Sequence, residues 1–336
     1  MRSISKPAYL TNVNKKGKNN MIKTIAAVGL PVDEVLEIRK NRIIPENSKD
    51  DMKRISVVTG IHGDELEGQY VCFELQRRIE QSKECLAGIV DIYPAMNPLG
   101  IDSITRGIPA FDLDMNRLFP GDIDGSMMEH VVARIMEDVA GSDCVFDIHA
   151  SNIYLTEIPQ IRINELHQDI LVPMAEEANV DFIWVHGAST VLESTFAYSL
   201  NHIGTPVLVV EMGVGMRITQ RYGEQMVDGI FQLMRKMGIW KGEVKPVRKP
   251  IISRNPEDVC YLNASVGGVF IPTVQHGAKL KKDEIIGRIV DPLCGKILDE
   301  VQAPEDGMLF TIRDYPIVAR GALMGRLLKK EVCGYE

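Results

Sequence analysis

No apolar run in these 336 residues approaches the roughly 20 positions that a membrane-crossing helix needs; stretches such as 171–173 and 207–210 are far too short. The sequence therefore predicts no membrane partner. Positive charge is also in deficit, with 38 Lys and Arg against 46 Asp and Glu and a formal net charge of −8. Such a chain generates no long-range field that gathers polyanions, which argues against nucleic acid. Cysteine is sparse and unpatterned. Cys72, Cys85, Cys144, Cys260, Cys294 and Cys333 form no Cys-x-x-Cys and sit mostly among apolar neighbours. A disulfide framework and a zinc knuckle are both disfavoured, and reduced core thiols in a cytoplasmic protein are expected. The lysine-rich stretch 15–20 and the short apolar run 25–30 imitate a secretory leader, but no small-residue cleavage pattern follows them.

What the chain does have is alternation. Between about residues 53 and 241, β-rich runs at 55–59, 89–94, 144–148, 182–186 and 206–210 alternate with longer amphipathic stretches. This predicts an α/β fold, a mixed and mostly parallel sheet flanked by helices. Leu66, Tyr70 and Phe73 with Val71, Leu75 and Ile79 mark one helical stripe. Val131, Ile135, Met136 and Val139 mark a second, and Ile230, Phe231, Met234 and Met237 a third. Segments 22–28 and 36–38 read as edge strands of the same unit. After residue 241, three prolines (Pro246, Pro250, Pro256) and a basic patch (Lys245, Arg248, Lys249) form a linker. Beyond Cys260 only short alternating runs occur, punctuated by glycines such as Gly268, Gly277, Gly287 and Gly307. These predict a small all-β barrel or sandwich. The expected domains are 1–245 and 246–336.

In an open parallel sheet, ligands gather beyond the carboxyl ends of the strands. The first strand runs into Gly60-Ile61-His62-Gly63-Asp64-Glu65, where a His and a carboxylate three residues apart can hold one zinc ion. Taken alone, the pair fits better a solvated loop His and a helix-entrance carboxylate favoured by the dipole. The strand 144–148 ends at His149, which completes a His2Glu set with one coordination position open to water. The strand 206–210 leads through four apolar residues to Glu211. A carboxylate placed so is either paired or functional, since an isolated buried charge is too costly. Beside an activated water it can act as base and then as acid. The Gly-, Pro- and Asp-rich stretch 105–121 holds Arg106, Asn116 and Arg117. Two arginines and an asparagine there can divide the tasks of facing an oxyanion and gripping a carboxylate, although each also fits an exposed loop.

The ordered series Gly60-Ile61-His62-Gly63-Asp64-Glu65-Leu66-Glu67-Gly68, Asn97-Pro98, Thr105-Arg106, Asp114-Met115-Asn116-Arg117, Asp147-Ile148-His149 and Glu211-Met212-Gly213 resembles the succinylglutamate desuccinylase/aspartoacylase family of the zinc carboxypeptidase superfamily. The likeness covers about 55–242. It implies His62, Glu65 and His149 as zinc ligands, with one ion per chain. It also implies Glu211 as general base and acid, Arg106 as oxyanion stabiliser, and Asn116 with Arg117 as the carboxylate grip. Asp114 and Asp147 fit as partners that orient ligands or arginines. Segment 267–328 is similar to biotinyl and lipoyl domains. Lys296 falls near their modified lysine but lacks its flanking residues, so a structural cap over the cleft is the expected role. Aspartoacylases carry a further arginine upstream of the base; the stretch 193–198 has none, with Arg162 and Arg217 as candidate replacements.

The implied reaction is zinc-dependent hydrolysis of an amide next to a free carboxylate, releasing the acyl group of a small N-acyl amino acid. A metallocarboxypeptidase acting on short peptides would use the same residues, and a catalytically idle zinc- or ligand-binding module is a third reading. A homo-oligomer is compatible with all three.

Overall fold

The computed structural model describes residues 20–47, 51–109, 111–187 and 193–334. Residues 15–19 of the lysine-rich stretch, and 48–50 of the turn that follows the edge strands, lie outside them. In chain order the first half comprises β1 (Asn20–Gly29), β2 (Val35–Ile43), β3 (Arg54–Thr59), α1 (Glu67–Gln81), β4 (Ile89–Tyr93), α2 (Pro98–Ser103) and α3 (Met127–Val139). There follow β5 (Cys144–His149), β6 (Leu155–Asn164), α4 (Gln168–Ala175), β7 (Phe182–His186), α5 (Phe196–His202), β8 (Val207–Gly213) and α6 (Gln220–Met237). The remainder is almost all strand: β9 (Ile251–Ser253), β10 (Val259–Asn263), β11 (Gly268–Pro272), β12 (Lys279–Leu280), β13 (Ile285–Asp291), β14 (Lys296–Gln302), β15 (Gly307–Arg313), β16 (Ile317–Val318), β17 (Leu323–Lys329) and a final turn, α7 (Lys330–Cys333).

The sheet is parallel in its core, where β4, β3, β5 and β8 lie side by side. β1 and β2 form an antiparallel hairpin on the β4 edge, as expected of the N-terminal segment. On the other side, β8 meets β6 antiparallel. The free flank of β6 is then divided, with β15 pairing Leu155, Thr156 and Glu157 and β7 pairing 160–164. Strands β10, β12, β15 and β17 thereby continue the large sheet, while β14, β13, β11 and β16 form a separate four-stranded antiparallel sheet. Leu262, Phe270, Ile286, Ile289, Leu309 and Met324 are buried together among these C-terminal strands. Phe182 and Trp184 of β7 pack with Phe310 and Leu328, joining the two halves through a second apolar cluster.

Because side chains alternate along a strand, one face of the central sheet receives Val57, Phe146, Ile148, Leu208 and Val210, covered by α1 and α6. The other receives Val58, Val145 and Val207, under α3 and α5. Asp147, His149, Val209 and Glu211 share the parity of this second face. Helix α3 starts on a capping box, with Ser126 N–H donating to Glu129 Oε2 at 2.8 Å and Ser126 Oγ accepting from the Glu129 amide.

Several expectations need correction. Phe73 is 61% exposed, because the buried stripe of α1 is Val71, Cys72, Leu75 and Ile79. Of the cysteines, all free, Cys72 and Cys144 are core residues but Cys294 is exposed in the turn between β13 and β14. β6 and α4 fall where the sequence pattern predicts no element, and the C-terminal strands end in a short helix.

Candidate active site

The site forms where β3, β5 and β8 end. Gly60, at φ +71°, turns the chain out of β3. Gly63 serves differently: a Cβ there would overlap the Gly100 backbone of α2. The turn so made holds His62 and Glu65 just before α1, both buried, and His149 reaches them from the end of β5. One ligand atom from each of these three lies within 4.8 Å of the others.

The two imidazoles converge on one carboxylate. His62 Nδ1 is 2.7 Å from Glu65 Oε1, and His149 Nδ1 is 2.9 Å from Glu65 Oε2. Of their far nitrogens, His62 Nε2 is hydrogen-bonded to Asp114 Oδ1 at 3.2 Å, and His149 Nε2 lies 3.1 Å from Asp147 Oδ1 as a close ion-pair contact without hydrogen-bond geometry. A carboxylate behind each metal-binding histidine is the usual way that ring orientation and basicity are fixed. Burial opposes charge on both rings, yet Glu65 with Asp114 raises the pKa of His62, and Asp147 with Glu65 raises that of His149 well above its ordinary value. The converging donors and the anionic charge behind them suit a divalent cation.

Glu211 lies beside His149 in the β5–β8 register. Burial pushes its pKa up to about 7, against the pull of Arg162, whose Nη1 is 3.3 Å from Glu211 Oε1. Arg106 approaches from the loop after α2, donating from Nη1 to Glu65 Oε1 at 2.9 Å. Asp114 caps the short turn Met115–Arg117 by accepting from the Asn116 amide at 2.9 Å. Asn116 Oδ1 accepts from the Phe196 amide at 2.9 Å. Exposed Arg117 is tied back to the Asn116 carbonyl at 2.7 Å. His62, Glu65, Arg106, Asn116, Arg117, His149 and Glu211 all line one cavity of about 330 Å³.

Sequence reasoning missed other residues of this cavity. Glu157 and Asn164 come from β6, His167 from the turn just before α4, Leu171 from α4, and Arg326 from β17. Of the two arginines offered as replacements for the missing one, Arg162 lines the cavity, whereas Arg217 is 70% exposed and lies 4.0 Å from Asp314. Lys296 is exposed at the start of β14.

The catalytic-domain model of the succinylglutamate desuccinylase/aspartoacylase family matches residues 51–237. The N-alpha-acetyl-L-2,4-diaminobutyric acid deacetylase of Halomonas elongata is 28% identical over 262 residues, covering 74% of each chain. The product-bound ectoine utilization protein EutE (DoeB) of Ruegeria pomeroyi superposes with a TM-score of 0.77 at 19% identity, covering 93% of this chain and 95% of that one. A succinylglutamate desuccinylase/aspartoacylase structure from Rhodobacter sphaeroides gives 0.76 at 22% identity, with 93% and 96% covered. The chain belongs to the succinylglutamate desuccinylase/aspartoacylase family of amide-hydrolysing deacylases, and His62, Glu65 and His149 form its metal-binding group.

Proposed function

We propose that this chain hydrolyses the amide of a small N-acyl amino acid, with one zinc ion per chain held by His62, Glu65 and His149. The observation that carries the reading is the grouping of these three donors with Glu211 and Arg106 around one cavity. Two imidazoles and a carboxylate suit zinc and leave a coordination position open. Bound there, the ion would polarise the scissile carbonyl and lower the pKa of water from about 16 towards roughly 7.

Glu211 takes the proton of the attacking water and returns it to the departing nitrogen, so that an amine and a carboxylic acid result. A pKa raised to about 7 by burial suits a group that must both accept and release a proton. Arg106 offers its guanidinium to the carbonyl oxygen as negative charge develops. Asn116 and Arg117 grip the free α-carboxylate of the substrate. No arginine occurs in 193–198, and Arg162 is already committed to Glu157 and Glu211. This favours a substrate with a single carboxylate over N-acetylaspartate. Together with the Halomonas relative, it makes an Nα-acetylated diamino acid such as Nα-acetyl-L-2,4-diaminobutyrate the leading candidate.

The test is metal analysis of the purified protein combined with a hydrolysis screen over N-acetyl, N-formyl and N-succinyl amino acids, including Nα-acetyl-L-2,4-diaminobutyrate, and short peptides. Release of free amino acid by the zinc-loaded protein is expected. A zinc-loaded protein inert towards the whole panel would overturn the reading, and cleavage confined to peptides would transfer it to a carboxypeptidase.

A further inference from the structure

Glu157 is fully buried on β6 and accepts from three side chains. Arg162, on the same strand, donates Nη2 to its two oxygens at 3.1 and 2.9 Å. Arg326 of β17 donates Nη1 to Oε1 at 2.6 Å, and Thr311 of β15 donates its hydroxyl to the same oxygen at 3.1 Å. The other arm of the Arg162 fork lies 3.3 Å from Glu211 Oε1. Both guanidinium carbons stand 5.9 Å from the ring of Trp184. Two arginines therefore share one carboxylate and one indole, and the nearer of them also meets Glu211.

The fork of Arg162 is split between two acids, which is not the arrangement an arginine adopts when left alone with one carboxylate. A guanidinium facing a single carboxylate tends to bind it bidentately through two parallel bonds. Here Arg326 and Thr311 engage Glu157 Oε1 from the C-terminal strands, so Glu157 offers less to Arg162, and the Nη1 arm stays with Glu211. The indole lies within cation–π reach of both guanidinium groups. The arrangement reaches from a residue late in the chain to the carboxylate beside the donor group, and each link is a contact of 3.3 Å or less.

We propose that Arg326 is a positioning residue for hydrolysis: through Glu157 it sets the orientation of Arg162, which holds Glu211 towards the attacking water. The C-terminal strands thereby complete the site instead of merely covering it. This rests on Glu211 being the base.

The experiment uses full-length, zinc-loaded protein and the best substrate of the panel above, reading kcat, KM, zinc content and thermal midpoint. Arg326→Met and Arg162→Met are each expected to lower kcat on the order of 10- to 100-fold, as misplacement of a reacting group does. KM should move less than about twofold and zinc content stay unchanged. The double variant should be no slower than the slower single variant, because both act through one carboxylate. Arg326→Lys should recover part of the loss, since it keeps a charged donor to Glu157, and Thr311→Val should show a smaller fall in kcat. A raised KM with kcat intact would make Arg326 a substrate contact and overturn the proposal, as would losses that multiply in the double variant. If Arg326→Met does not fold, full kcat in folded Arg326→Lys and Thr311→Val is the overturning result. Glu211→Gln separates the two readings: an active Glu211→Gln enzyme removes the base itself, whereas a dead one beside fully active Arg326 variants removes only the positioning role.

Discussion

His149 and Glu211 face each other across the parallel β5–β8 pair, so that the histidine that joins the donor cluster and the acid proposed as base leave the sheet at the same level. Two adjacent strand ends, each offering one side chain, place a residue of the donor group and the proposed base together without help from a flexible loop. Rigid strand positions of this kind make the assignment of roles open to direct test.

Replacing Glu211 by Gln keeps the volume of the side chain and removes its basicity. The kcat for amide hydrolysis is expected to fall by roughly 10²- to 10⁴-fold, with zinc content by elemental analysis equal to that of the unaltered protein. A variant that keeps full turnover would remove Glu211 from the reaction.

Arg106→Ala should raise the barrier by roughly 3 to 4 kcal/mol, the range found when one oxyanion donor is lost. Steady-state kinetics should show the loss in kcat. Since Arg106 also donates to Glu65, zinc affinity should be measured alongside, and retention of at least most of the metal is expected.

Asp147→Asn replaces the carboxylate that lies 3.1 Å from His149 Nε2. Zinc affinity, measured by competition with a chromophoric chelator, should weaken by about 10- to 100-fold. The thermal midpoint of the metal-free protein should change little by comparison, and an unchanged affinity would show that Asp147 does not support the ligand.

Far from the site, Asp91 on β4 is fully buried among cations. It accepts from Arg42 at 2.8 and 2.6 Å, from Lys40 at 3.2 Å and from Arg54 at 3.4 Å. Asp91→Asn leaves Lys40, itself buried, with less compensation, and should destabilise the fold by roughly 3 to 5 kcal/mol in urea unfolding. Burial opposes ionisation of Asp91, but Arg42 and Lys40 outweigh it and hold its pKa below the ordinary carboxylate range. Its contribution is therefore complete above its unfolded pKa of about 4 and is lost as pH falls through the depressed folded value. The drop in urea midpoint between about pH 5 and pH 3 should be smaller in Asp91→Asn than in the unaltered protein.

The parallel core was legible because its strands are short β-branched runs that end in polar residues, and β3, β4, β5, β7 and β8 all fall on such runs. Each of the seven site residues, taken alone, also fits a loop, cap or core role; they stood out together, because several strand ends carry such groups and their motifs follow the family order. Strand β6 was hidden by Pro159 and by Glu157, Gln160 and Arg162, which read as loop polarity although Glu157 and Gln160 are fully buried. No local pattern announces Arg326. It is one arginine in an ordinary β17, and its place in the cavity follows from the pairing of β15 with β6, a contact between segments about 150 residues apart that no period in the sequence records.

That divided flank of β6 also bears on how the chain can be cut. A fragment ending near residue 245 would lose β15 from the first three positions of β6 and β9 from the outer side of β7. Two lengths of backbone would then present unpaired amides and carbonyls to solvent, a template on which further copies can stack. The shortened protein should therefore tend to self-associate and precipitate, whereas the full chain keeps both lengths of backbone paired.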